Sequence, residues 1–348
     1  MKRTFLSLSV AALLSVGLTA CDPPMPPDVA AQIAEQTFTC VEGDSTVFYP
    51  TLMADIAQGF TDSVASACID PAPAMTLTVG ADAASSDIVI SDYPVACSPI
   101  ATVPYATEAA DVSVYFADGY SINLSPVNVA KIFNGEITTW ADKALATDNP
   151  DTTLPDEPIV VRRAADKNAL TALSAWFERF GAKFNANFDV TEGEQPFEPL
   201  AEGEIAILRH SVAIYNAVMP VSIIVGQDAG AAVLAVADSM GIGSAATQWV
   251  AKQEGNNVTV KLNFDQAPVP MSGFDSASTP YQAIYPVYLN ICGEESLTKR
   301  ANAFFLLRLD SQGSLGASSF NQLSENVRVV SVVTVRKGLP TPSAAPSE

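Results

Sequence analysis

Histidine is nearly absent from this 348-residue chain, which has one, and between Arg3 and Lys131 there is no lysine or arginine at all. A single histidine, His210, excludes a three-histidine zinc centre and leaves any Ser-His-Asp triad resting on one side chain. It closes an apolar run in Leu208-Arg209-His210-Ser211, where a structural role is the expectation. There is no Walker phosphate loop and no GxGxxG fingerprint, so no nucleotide cofactor is implied. No CxxC spacing suggests a thiolate metal site, and no second apolar run reaches the 18 residues that a membrane span needs. Little is left for an enzyme to use.

What is abundant is negative charge. Setting aside Lys2 and Arg3, 16 of the 18 Lys and Arg remain against 38 Asp and Glu, a formal balance of about −22. Such a surface repels nucleic acid and anionic lipid. Any cation that holds an anionic ligand must come from the later part of the chain. Three of those cations, Arg162, Arg163 and Lys167, fall within six positions.

The opening residues read as an export signal. Lys2 and Arg3 precede the apolar run Phe5 to Leu18, too short to span a bilayer, and Leu18-Thr19-Ala20-Cys21 follows with small residues before a cysteine. This resembles a bacterial lipoprotein box, which implies a signal peptide over 1–20, lipidation of Cys21 and a membrane-anchored protein outside the cytoplasm. The proline-rich stretch within 21–35 reads as a stiff tether, and 339–348 as a disordered tail. Cys40, Cys68, Cys97 and Cys292 remain, an even number in an oxidising compartment, and four cysteines allow three pairings. The preferred pairing is Cys40 with Cys68, tying a strand to the end of the following helix, and Cys97 with Cys292.

Between the ends, strands and helices alternate, which predicts an α/β architecture. Strands are expected at Thr37–Val41, Met75–Val79, Asp87–Ile90, Ile159–Arg163, Ile205–Leu208, Val221–Val225, Val258–Leu262, Tyr285–Ile291 and Val327–Val335. Helices are expected at Pro50–Ser66, Val127–Phe133, Asn168–Phe180, Ala229–Met240 and Ser296–Leu307. Ile100 to Ala117 reads as an extended apolar crossing between lobes.

The segment Leu124 to Phe177 is distinctive. Gly135, Ile137, Trp140, Asn149, Pro150, Leu154, Pro155, Val160, Val161 and Arg163 stand in an order that resembles the periplasmic phosphate-binding proteins of phosphate ABC transporters. Asp87-Ile-Val-Ile-Ser-Asp92 and Ser239-Met-Gly-Ile-Gly-Ser244 are weaker echoes of the same family. The resemblance implies a type 2 periplasmic-binding-protein fold with mixed sheets and a hinge. Its two α/β lobes would be 36–110 with 278–338, and 111–277, closing around a ligand.

It also implies a site. A carboxylate at Asp92, the forked donor Arg163 and a helix starting at Asn168 would face each other across the cleft, with Lys167 as an added cation. In the first lobe the family's Gly-x-Gly-x-Thr-Phe loop is matched by Gly43 to Phe48, so Thr46 and Phe48 are the expected contacts, with the threonine one place out of register. The second loop departs further: Lys167, Asn168 and Ala169 stand where the family has Ser-Gly-Thr. Arg162, next to Arg163 on a strand, is expected to face away from the cleft, and Trp140 and Phe177 to lie in the core. The expected partners are a small oxyanion, phosphate foremost, and the subunits of an ABC permease. The altered loop keeps a second expectation open, an envelope interaction module that has lost phosphate.

Overall fold

The computed structural model describes residues 39–340 except 71, 120 and 271–275. The expected export signal over 1–20, Cys21, the expected tether within 21–35 and residues 341–348 of the expected tail lie outside the described residues. The strands are β1 Gly43–Phe48, β2 Met75–Val79, β3 Ile88–Ser91, β4 Pro99–Val114, β5 Asn123–Leu124, β6 Val160–Val161, β7 Ala164–Asp166 and β8 Asp189–Thr191, then β9 Glu204–Arg209, β10 Ser222–Asp228, β11 Ala231–Ala235, β12 Trp249–Glu254, β13 Asn257–Leu262 and β14 Ile284–Cys292. The principal sheet is mixed and runs β12-β13-β4-β14-β3-β1-β2, with β9 and β6 continuing from β4. Among the described residues, two smaller sheets, β11-β10-β5 and β7-β8, form ladders of their own beside it.

The 16-residue strand β4 organises the molecule. From Pro99 to Ala109 it pairs antiparallel with β14, and from Ala110 to Val114 it pairs antiparallel with β9. One strand thereby serves two sheet regions, and the change of partner falls between Ala109 and Ala110. Its residues from Val103 onward are almost all buried, which is why it reads as continuously apolar rather than alternating. Yet Thr107, Glu108, Asp111 and Ser113 lie inside that run with no exposed surface. The hairpin β12–β13, placed by the sequence in the second lobe, joins this strand through Asn257 and Thr102.

The spaced positions of the distinctive segment do structural work. Ser125 accepts from Asn128 N and caps the helix Pro126–Asn134, which Gly135 ends in the left-handed region at φ 79°. Trp140 is fully buried, meets Phe116 edge-on at 5.1 Å and donates its indole N–H to Gly203 O at 3.1 Å. A side chain at Gly203 would stand 3.3 Å from that nitrogen, and φ there is +67°. Asn149 closes the segment by accepting from Asn123 N and donating to Asn123 O, both at 2.8 Å.

Both expected disulfides are present, Cys40–Cys68 and Cys97–Cys292, with Cα separations of 5.6 and 5.7 Å. Three expected elements differ. Of the expected strand Thr37–Val41 only residues 39–41 are described, and they lie in no strand; the first strand among the described residues is Gly43–Phe48, where Ser45 and Val47 are buried. Ala229–Met240 begins as a turn and strand β11 that pairs back on β10, with Ala229 and Gly230 both at positive φ, and only Ser239 and Met240 are helical, opening the helix Ser239–Ala246. Val327–Val335 lies in a helix, Glu325–Val335, despite its β-branched composition: Val327, Arg328, Ser331, Val332, Thr334 and Val335 are its buried face, a spacing of three and four.

Candidate functional site

Where β4 changes partner, several strand ends converge: the end of β3 with Asp92 and Tyr93, the middle of β4, the end of β9 with Arg209, and the end of β7 with Asp166. Arg209 is the centre of this cluster. Its side chain is 7% exposed, and Nη2 stands 3.0 Å from Asp92 Oδ2, a charge contact whose angles make no hydrogen bond. Nε lies 3.6 Å from Glu108 Oε2 and has no hydrogen-bond partner among the described residues. Glu108 is held further by Ala109 N at 2.9 Å, Ser211 N at 3.2 Å and the Ser211 hydroxyl. His210 Nδ1 lies 2.9 Å from Asp111 Oδ2.

Four buried carboxylates therefore share one guanidinium and one imidazole, and the protonation of Asp92, Asp111 and Asp166 is shifted there. Burial pushes the Asp92 carboxyl up to about 6, against the pull of Arg209 and with help from Asp166 and Glu108. Asp111 and Asp166 are raised by the same loss of solvent. Burial alone would lower His210, but the Asp111 carboxylate holds it above its ordinary value. Arg209 is likewise raised despite burial, by Tyr285 and the surrounding acids, and stays charged.

Asp166 caps the helix Lys167–Glu178, accepting from Ala169 N at 2.9 Å, and its second oxygen accepts from the Tyr93 hydroxyl. The protein's own carboxylate thus occupies the helix start at which an anion was expected. Asn168 bonds Asp92 O at 2.7 Å, so two expected residues do meet, but through a side-chain amide and a backbone carbonyl.

The other expected contacts are directed elsewhere. Arg163 donates to Phe133 O at the end of the helix Pro126–Asn134, a carbonyl with no partner inside its own helix. Lys167 is half exposed and pairs with Glu192 at 2.5 Å. The Thr46 hydroxyl and N–H both bond Asp87 Oδ2, at 3.1 and 3.0 Å, while Phe48 is half-buried beside Val89 of β3. Arg162, expected to face away, forks onto Glu204 at 2.8 and 3.0 Å.

Beside the cluster opens a cavity of about 720 Å³, and none of the six expected ligand residues lines it. Thr51, Asp166, Glu194 and Arg209 do, with an apolar wall that includes Leu52, Phe197, Leu208, Val212 and Phe320. Thr51 opens the helical stretch that continues as Ala54–Ala67, and its N–H donates to both oxygens of Glu194, at 2.7 and 3.0 Å. Sequence reasoning passed over Arg209, Glu108 and Thr51. A lone arginine closing an apolar strand, and carboxylates inside an apolar run, were the available signals.

These elements define a two-lobed α/β fold of the kind used by phosphate-binding proteins, with mixed sheets and, among the described residues, no closed barrel. Among solved structures the chain is similar to the ancestral soluble variant of the human phosphate binding protein, at 14% identity and a TM-score of 0.50, covering 87% of this chain and 96% of that one. It is also similar to a high-affinity periplasmic phosphate-binding protein bound with phosphate (13%, TM-score 0.47, 85% and 93% covered). A phosphate binding protein from Stenotrophomonas maltophilia aligns at 13% identity and a TM-score of 0.45, with 84% and 93% covered. At such identities the likeness is one of fold. No protein-family model matches the chain, and no curated protein matches it.

Proposed function

We propose that the protein is a solute-binding lipoprotein of an ABC importer, held at a membrane through Cys21, that takes a small oxyanion, phosphate or a relative of it, between its lobes and delivers it to a permease without altering it. The lobes would be 36–110 with 278–338, and 111–277, with β4 as the strand about which they close. The observation that carries this reading is the contact at Thr51. A carboxylate, that of Glu194, already sits with two oxygens on the N–H of a helical start, in a cavity that Arg209 also lines. That is the chemistry of an oxyanion seat.

One observation favours the second reading, an envelope interaction module without phosphate. Asp166 occupies the Ala169 N–H, and buried carboxylates outnumber the cations beside it. Isothermal titration calorimetry of the full chain with inorganic phosphate separates the two. Heat of binding supports the transport reading with phosphate as the cargo; no heat at millimolar concentration with phosphate or with a small organic anion favours the module.

A further inference from the structure

The cavity is larger and more apolar than a bare oxyanion needs. At about 720 Å³ it falls in the range of roughly 300–1,000 Å³ that takes an organic ligand, and its wall is largely side-chain hydrocarbon and aromatic ring. A tetrahedral ion would leave most of that wall uncovered. Only an apolar body gains from contact with Leu52, Phe197, Leu208, Val212 and Phe320.

The charges choose the head group. Of the two cations lining the cavity, Arg162 is committed to Glu204 by two hydrogen bonds, and Arg209 stands against Asp92 and Glu108. Asp166, Glu194 and Glu198 line the same space. A dianion meets about twice the repulsion that a monoanion meets there, so a single seat is more easily filled by a monoanion. The donor placed for acceptor oxygens is the Thr51 N–H, which already holds both oxygens of Glu194, and the Arg209 guanidinium, with Nε 3.6 Å from Glu108 Oε2, adds positive charge beside the cavity. A donor calls for an acceptor head and not for an ammonium.

We infer that the cavity binds an organic monocarboxylate, its head on the Thr51 N–H in the place that the Glu194 carboxylate takes and its apolar body along Leu52, Phe197 and Phe320. This rests on the oxyanion reading above and narrows it. Glu194 is exposed and belongs to the segment between β8 and β9, so its carboxylate leaves when the ligand's arrives. Glu194 is the internal competitor for the seat.

Calorimetry of the full chain with three probes, hexanoate, hexylamine and inorganic phosphate, tests this. Binding of hexanoate without binding of the other two is expected. Phosphate binding alone overturns the inference and leaves the oxyanion reading standing; hexylamine alone, or no binding at all, overturns both. Glu194→Gln, on an exposed loop, is expected to tighten hexanoate about tenfold if the carboxylate fills the seat nine times in ten. Unchanged or weaker hexanoate affinity in that variant removes Glu194 from the seat and overturns the shared-position argument.

Discussion

Arg209 brings one positive charge to a place where water cannot screen it and four carboxylates gather. The pairing is close, but its value to the fold lies mainly in what would follow its loss. A buried ion pair is worth little against a well-packed apolar pair, whereas removing one partner strands the other. Arg209→Leu leaves Asp92 and Glu108 without their cation, and a loss of about 3–5 kcal/mol is expected, read as a lower urea midpoint. Lys167 makes the contrast. It and Glu192 are each 56% exposed, and water does for both charges much of what the contact does. Lys167→Ala should move stability by no more than about 0.5–1 kcal/mol. Equal effects of the two substitutions would refute the view that burial, not proximity, sets the importance of these cations.

At the scale of elements, the helix Glu325–Val335 shows how far local sequence reaches. Val327, Val329, Val330, Val332, Val333 and Val335 favour a strand when read alone, and each loses side-chain freedom in a helix. The chain is helical there because Arg328, nearly fully buried, forks onto Glu325 one turn away, and because one face fits against β4 and β12. Tertiary contact overrides propensity, so a peptide of residues 322–338 in water should show almost no helix by circular dichroism. A peptide that is substantially helical on its own would overturn this account. The same contrast explains what could be read from the sequence. Met75–Val79 and the helix around Val127–Phe133 were legible because alternation, a serine cap and a glycine stop are local signals. The site was less legible. Arg163 carries the familiar spacing yet caps a helix, while Arg209 gains its position from the pairing of β9 with β4, which no local pattern announces.

Across the whole molecule, the cluster under β4 ties stability to pH. Asp92 rises from 3.8 to about 6 on folding, so between those values the folded chain holds more protons than the unfolded one. Its stabilising contribution is complete below the unfolded value and is lost as pH rises through about 6. Asp111 and Asp166 shift in the same direction and add the same sign. His210 is also raised, so its contribution is present below its unfolded value and fades as pH climbs through the folded one. For Asp92 alone the whole effect is about 3 kcal/mol at 1.36 kcal/mol per unit, of which about 1 kcal/mol develops between pH 8 and pH 5.5. The formal charge of −20 acts in the same sense, since protonation relieves self-repulsion. The chain should therefore melt at least about 2 °C higher at pH 5.5 than at pH 8. Asp92→Asn, which cannot ionise, should melt with a smaller difference between the two. A wild-type midpoint that rises from pH 5.5 to pH 8 would mean that the carboxylates around Arg209 fold ionised and well paired, and that β4 crosses between its partners without the strain of unshared charge.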